Sequence, residues 1–200
     1  MTTAEATRRT AAIVSAAARL FDEKGYHDTG MDDIAEAVGL RKPTLYHYVR
    51  SKAEILVWIH NDLMSSVLGK LEEHVASDSD PREGLRHVIA DILEIMDTSP
   101  GYLRVFFEHH RDIPEPQRTD IIRSRDRYLW LVESLITAGI RQGLFRNVPV
   151  RTATLAFFGM TNWSYQWYRP GGELGYLEVA DQLLDLYLHG VESAEGDQRA

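Results

Sequence analysis

The chain has 200 residues, 44% hydrophobic and 26% charged, which supplies enough apolar mass for one or two globular domains and excludes a disordered or low-complexity protein. It contains no cysteine, so disulfides, cysteine-based zinc sites and thiol nucleophiles are excluded. The net charge of -8 argues against a polyanionic partner until its distribution is read: residues 1–60 hold eight Lys/Arg and eight Asp/Glu, whereas residues 61–200 hold 14 and 22. Between Ala37 and Ala53 stand Arg41, Lys42, Arg50 and Lys52 with no acidic residue, and a local basic patch of this kind can serve DNA on an acidic chain.

In chain order, Thr10 to Lys24 reads as a helix with one apolar face, Ile13, Ala17 and Phe21 at four-residue steps beside Val14 and Ala18, stopped by Gly25. Its short apolar stretch gives way to Ser15 and Arg19, so no export signal is expected there, and no later run approaches a membrane span. A soluble, cytoplasmic chain follows as the expectation. Met31 to Val38 forms a second short helix broken by Gly39, and Pro43 stands in the first turn of a third, Lys42 to Tyr48. Ser51-Lys52-Ala53-Glu54 has the pattern of a capping box, in which the Ser hydroxyl takes the N3 amide and Glu54 reaches back to the cap amide. A long fourth helix then carries Leu56, Ile59, Leu63 and Val67.

Ser77-Asp78-Ser79-Asp80-Pro81 is a polar break, after which Leu85, Val88, Ile89, Ile92 and Met96 recur at helical spacing until Ser99-Pro100-Gly101. Tyr102 to Arg111 is a short aromatic-rich helix, Gln117 to Gln142 a long one with Ile122, Leu129, Val132 and Ile136 on one side, and Val150 to Tyr168 and Leu174 to His189 complete the set. The result is an all-α chain of about nine helices without internal repeats. A head of residues 1–52, a body of 53–192 and a frayed polar tail of 193–200 are its expected domains.

Function is most legible in residues 31–50. A helix-turn-helix crosses two short helices steeply, which requires a small residue at the crossing, a Gly in the turn and apolar contacts behind the second helix. Ala35, Gly39 and Leu45 stand at the fifth, ninth and fifteenth places of such a unit, leaving Lys42, Thr44, Tyr46 and His47 outward for phosphates and base edges. Spacing alone fits an ordinary αα-corner equally well. The run Ile34-Ala35-Glu36-Ala37-Val38-Gly39-Leu40, then Pro43-Thr44-Leu45-Tyr46-His47-Tyr48-Val49 and Ser51-Lys52, closely resembles the DNA-binding domain of the TetR family over residues 8–57. That resemblance implies a homodimeric transcriptional repressor bound to double-stranded operator DNA and released by a small molecule. It places Lys42, Pro43, Thr44, Tyr46 and His47 on the recognition helix, Lys52 on a phosphate, and Thr29, Met31 and Arg41 beside them. Gly30 and Met31 depart from the family, where a hydroxyl residue and a polar reader are usual, so Met31 is left with apolar contact such as a thymine methyl.

The second informative stretch is Thr161-Asn162-Trp163-Ser164-Tyr165-Gln166-Trp167-Tyr168-Arg169-Pro170-Gly171-Gly172. It is similar to the penultimate-helix end of a TetR subgroup that represses lipid and steroid catabolism genes and responds to acyl-CoA thioesters. Trp163, Trp167 and Arg169 offer stacking faces and a cation for the CoA part, and Leu103, Phe106, Phe107 and Tyr128 an apolar lining for the acyl part. Aromatics at helical spacing serve equally well as core. The resemblance implies dimerisation through the last two helices, where Leu155, Phe158, Leu183, Leu184, Tyr187 and Leu188 supply apolar surface. A drug-sensing repressor of the same type is the alternative. An enzyme is disfavoured: no nucleotide fingerprint or nucleophile elbow occurs, and His109-His110 within Glu108-His109-His110-Arg111-Asp112 diverge on a helix, so neither a catalytic nor a metal site nor a cofactor is expected.

Overall fold

The computed structural model describes residues 3–76 and 80–191, and the expected break at Ser77–Ser79 and tail at 193–200 lie outside the described residues. Among those residues the regular structure is helical, with no β-strand: α1 (Thr3–Lys24), α2 (Met31–Ala37), α3 (Lys42–Leu45), α4 (Lys52–Ala76), α5 (Pro81–Thr98), α6 (Tyr102–Glu108), α7 (Gln117–Arg141), α8 (Val150–Trp163) and α9 (Tyr176–Val191), with 3-10 turns at His110–Asp112 and Ser164–Gln166. No helix among them is long and apolar enough to cross a membrane. The chain forms two compact units, Met1–Ser65 with Thr98–Ile122, and Ser66–Asp97 with Arg123–Ala200.

The first unit is organised on α1. Ile13, Ala17 and Phe21, with Val14 and Ala18, are buried along one face, as their spacing requires. The helix starts at Thr3 rather than Thr10, because Glu5 to Arg9 contain no Gly or Pro and Glu5 sits in the first turn, where a carboxylate favours the helix dipole. The small alanines let the chain entering α6 approach closely. Gly101 has φ 86°, and a Cβ there would stand 2.5 Å from the Ala18 carbonyl oxygen, so the turn into α6 admits only glycine. Arg104 of α6 then binds Asp22 of α1 at 2.5 Å and its own Glu108 at 3.0 Å. From α4, Ile55, Leu56 and Ile59 are fully buried, and the His60 ring lies between the carbonyls of Leu56 (2.9 Å) and Phe106 (3.2 Å).

In the second unit α5 buries Leu85, Val88, Ile89, Ile92 and Met96 as its pattern requires. On α7 Val132 and Ile136 are fully buried as expected, while at the helix start Ile121 and Tyr128 are buried in place of Ile122, which is 47% exposed, and Leu129, which is half-buried. One residue is about 100° of helix rotation, enough to turn Ile122 from the buried stripe. Arg86 of α5 binds both carboxylate oxygens of Asp181 on α9 at 2.5 and 3.1 Å. Helix α8 ends at Trp163 rather than Tyr168. The Ser164 hydroxyl donates to the Thr161 carbonyl and the Trp167 amide to the Ser164 carbonyl at 3.1 Å, closing a tighter turn. Helix α9 starts at Tyr176, two residues late, where Glu178 accepts the Gly175 amide at 2.8 Å.

Candidate functional site

The corner of residues 29–52 is assembled from local rules. At the end of α2 the Gly39 amide donates to the Glu36 carbonyl (3.0 Å) and the Leu40 amide to the Ala35 carbonyl (2.8 Å), with Gly39 at φ 65°. This paired closure needs a left-handed residue at that place, which explains the glycine. The chain re-enters helix at once, because Pro43 sits in the first turn of α3 with its missing N–H where no partner is needed. Ile34, Ala35, Leu45 and Val49 are at most 3% exposed and form the apolar backing.

Helix α3 is shorter than the sequence pattern suggests, ending at Leu45. Tyr46 to Tyr48 continue as a turn, with the His47 amide on the Thr44 carbonyl and the Tyr48 amide on the Leu45 carbonyl. Three consecutive rings have weak helix preference, and the cap of α4 follows within a few residues. At that cap the Ser51 hydroxyl accepts the Glu54 amide at 3.1 Å as expected, but the Glu54 carboxylate takes the Arg50 amide, at 2.5 Å, instead of the cap amide. The box is displaced by one residue.

The side chains of Arg41, Lys42, Pro43, Thr44, Tyr46 and His47 are all exposed, and Met31 is half-exposed at the start of α2. Lys42 pairs with Asp32 at 2.7 Å, and that hydrogen bond raises the ammonium pKa, so Lys42 is charged at neutral pH. Both partners are well exposed and their attraction is screened by solvent, so a phosphate can take Lys42 from Asp32 at small cost. Asp33 accepts the Gly30 amide at 2.7 Å and Lys24 at 2.9 Å, and the Lys24 bond holds its carboxyl below the usual range. The acidic residues of α2 thus cap and anchor their own helix N-terminus.

Two members of the expected DNA set are engaged in other ways. Thr29 is 1% exposed, and its hydroxyl donates to the carbonyls of Gly25 (2.8 Å) and Leu20 (3.2 Å), so it packs the unit and is not presented at the surface. Lys52 Nζ donates to the carbonyls of Tyr26 (2.5 Å), Thr29 (2.9 Å) and His27 (3.3 Å) and lies 4.5 Å from the Tyr26 ring centroid. Its three protons meet three carbonyls, so it braces the loop ahead of α2. A phosphate at Lys52 would displace one of these contacts. Sequence spacing carries no signal for this brace, which joins positions more than 20 residues apart.

The expected effector residues divide between the units. Leu103 and Phe106 are buried and Phe107 half-buried in the first. In the second, Tyr128 is buried with its ring 5.7 Å from that of Phe158, whereas Trp163 and Trp167 are 61% and 47% exposed. Arg169 is exposed, and its guanidinium donates to the Gln166 and Tyr168 carbonyls, closing the turn after α8. The neighbouring Tyr168 is buried and donates to Asp97 at 2.9 Å, which fixes this turn to α5. Of the apolar residues expected on the last two helices, Leu155 is 51% exposed and Phe158, Leu183, Leu184 and Leu188 are half-buried. Tyr187 faces inward, its hydroxyl on the Ala153 carbonyl and its ring on Phe157, so it joins α9 to α8 within the chain. Leu177 and Leu186, 45% and 65% exposed, carry the outward apolar surface instead. A groove of about 400 Å³ there is lined by Val148, Pro149, Ala156, Met160 and Leu186 among others.

Comparison with known proteins places this geometry in context. A family model described as bacterial regulatory proteins, tetR family, matches residues 13–58, and one described as the tetracyclin repressor-like C-terminal domain matches residues 78–191. The chain is 30% identical to the HTH-type transcriptional repressor KstR2 of Rhodococcus jostii over 96% of this chain and 95% of that protein. The structure of the ketosteroid transcriptional regulator KstR2 of Mycobacterium tuberculosis superposes with a TM-score of 0.85 at 25% identity, covering 93% of this chain and 96% of the other. AibR in complex with isovaleryl coenzyme A and operator DNA superposes with a TM-score of 0.78 at 27% identity, covering 89% and 97%.

Proposed function

We infer that this chain, which belongs to the tetR family of bacterial regulatory proteins and is a DNA-binding transcriptional repressor, is released from its operator by an acyl-CoA thioester of lipid or steroid catabolism. The observation that carries the DNA half is the α3 corner, where Lys42, Thr44, Tyr46 and His47 stand exposed over an apolar backing of Ile34, Ala35, Leu45 and Val49. Lys42 supplies charge for a phosphate, Thr44, Tyr46 and His47 supply donors, acceptors and ring faces, and Met31 supplies an apolar contact. In this reading residues 1–52 hold the DNA and 53–192 hold the effector and the dimer seam.

The effector half is supported by likeness to AibR, solved with isovaleryl coenzyme A and operator DNA, and to the KstR2 repressors. Within the second unit Tyr128 offers an apolar wall for the acyl part, and Trp163, Trp167 and Arg169 offer stacking faces and a cation for the CoA part, while Leu103, Phe106 and Phe107 pack within the first unit. The chain acts in the cytoplasm as a homodimer paired through α8 and α9, because two recognition helices must reach successive major grooves. Leu155, Leu177 and Leu186 supply apolar surface for that pairing. A thioester lowers operator affinity by binding the non-DNA arrangement of the dimer more tightly than the DNA-bound one, and tenfold release needs about 1.4 kcal/mol of that difference. It is bound intact, not turned over.

Fluorescence anisotropy on DNA upstream of the chain's own gene tests this, with acyl-CoAs, the matching free acids and CoA as additions. Release by thioesters alone is the expected result. Indifference to every thioester, with release by a lipophilic cation, would assign the protein to drug sensing instead.

A further inference from the structure

The run Glu108-His109-His110-Arg111-Asp112 carries no metal-ligand spacing of its own, since neighbouring imidazoles on a helix diverge by about 100°. The fold supplies what the run lacks. Helix α6 gives way at His109, and the 3-10 turn after it brings Asp112 back alongside, leaving His109 Nδ1 3.2 Å from Asp112 Oδ2. From the opposite side the loop after α1 delivers His27, whose Nε2 lies 3.6 Å from Asp112 Oδ1. One ligand atom from each of the three residues lies within 4.8 Å of the others. We propose that His27, His109 and Asp112 hold one divalent transition-metal ion, with solvent completing its shell, and that the ion ties the loop ahead of α2 to the corner after α6.

The donor set selects the class of ion. Two imidazoles and one carboxylate suit Zn²⁺ and its first-row neighbours, whereas Mg²⁺ and Ca²⁺ require oxygen donors throughout. Zinc bonds of about 2.0–2.2 Å in tetrahedral geometry set the donors about 3.3–3.5 Å apart. One carboxylate oxygen of Asp112 stands near that distance from His109 and the other from His27, so a turn of the carboxylate and a movement of the His27 ring complete the set. His27 has the freedom to move, with 73% of its side chain exposed, while His109 and Asp112, at 15% and 30%, form the more enclosed half. The backbones behind them are held: the Tyr26 ring packs on His109 at 5.3 Å and on Phe21 at 5.0 Å, and the His27 carbonyl accepts from Lys52. Binding needs a free lone pair on each imidazole, which the neutral ring supplies at His109 Nδ1 and His27 Nε2 when its proton sits on the other nitrogen. This site is separate from the effector and operator contacts proposed above.

Titration calorimetry with Zn²⁺ on the chelator-treated full chain, with Co²⁺ as the spectroscopic probe, tests the assignment. One ion per chain is expected, bound at least tenfold more weakly by His27→Ala and by Asp112→Asn, while His110→Gln binds like the unaltered chain. Circular dichroism verifies that the exposed His27 variant keeps its fold. Amide exchange across residues 25–30 slows on adding Zn²⁺. Absence of binding, equal binding by the His27 and Asp112 variants, an equal loss in the His110 variant, or binding without slowed exchange would overturn the proposal.

Discussion

Helices α3 and α9 both leave much of their surface to solvent, yet the side chains they leave there differ in kind. Around α3 the exposed set is, beside Pro43, Arg41, Lys42, Thr44, Tyr46 and His47, all able to give or take a hydrogen bond or a charge. On α9 it includes Leu177 and Leu186, and the preceding helix α8 adds Leu155, each at least 45% exposed. Isolated exposed apolar residues are ordinary on a protein surface, but several large ones on two successive helices fit the dimer seam proposed above. A polar, cationic set over a dry backing meets a hydrated polyanion instead. On the proposed reading the two regions should fail differently when altered: the first would lose a hydrogen-bonded ligand, the second a subunit.

The largest effect is expected behind the DNA-facing corner. Leu45 is fully buried, and Leu45→Ala removes its methyl groups from a backing that has few other large side chains, at a cost of about 2–5 kcal/mol by thermal or denaturant unfolding. Leu186→Asp, at 65% exposure, should leave the protomer's helicity unchanged while weakening the dimer about a hundredfold in sedimentation equilibrium, a hot-spot loss near 2.7 kcal/mol. An unaltered dimer would move the seam away from α9.

Alkaline pH acts in both units through buried phenols. Burial pushes Tyr102 and Tyr187 up to about 12, and burial together with the Asp97 hydrogen bond does the same for Tyr168. The folded chain thus keeps protons that the unfolded chain releases from the ordinary value of 10.0, so their contribution is present below 10 and is lost as pH rises toward 12. Unfolding followed by circular dichroism, with tyrosinate absorbance recorded alongside, should show stability falling across that window. Normal tyrosine titration would contradict it.

Much of this was legible in sequence because it rests on local rules. The apolar steps Ile13-Ala17-Phe21 and Leu56-Ile59-Leu63, the turn glycine at Gly39 and the proline at Pro43 each state their own geometry. Places where the sequence misleads involve either one residue of rotation, as with Ile121 and Ile122 on α7, or partners far along the chain. Thr29 resembles a surface hydroxyl until Gly25 and Leu20 bring carbonyls to it. The bracing of the α1–α2 loop by Lys52 is equally invisible in sequence, and Tyr187 matches an interface residue until Ala153 and Phe157 claim it. His27 offers no signal in sequence toward His109 and Asp112, because 82 residues separate it from the nearer of them.

The central claim is that the exposed face of the α3 corner reads the operator, and the most direct measurement is the operator affinity of Tyr46→Ala and Lys42→Ala at fixed salt. Both substitutions remove exposed side chains, so the thermal midpoint should stay where it is. Each should weaken binding by about tenfold or more, and Lys42→Ala should also lower the salt slope by about one as a phosphate contact is lost. Undiminished affinity in both variants, with the fold intact, would contradict the assignment.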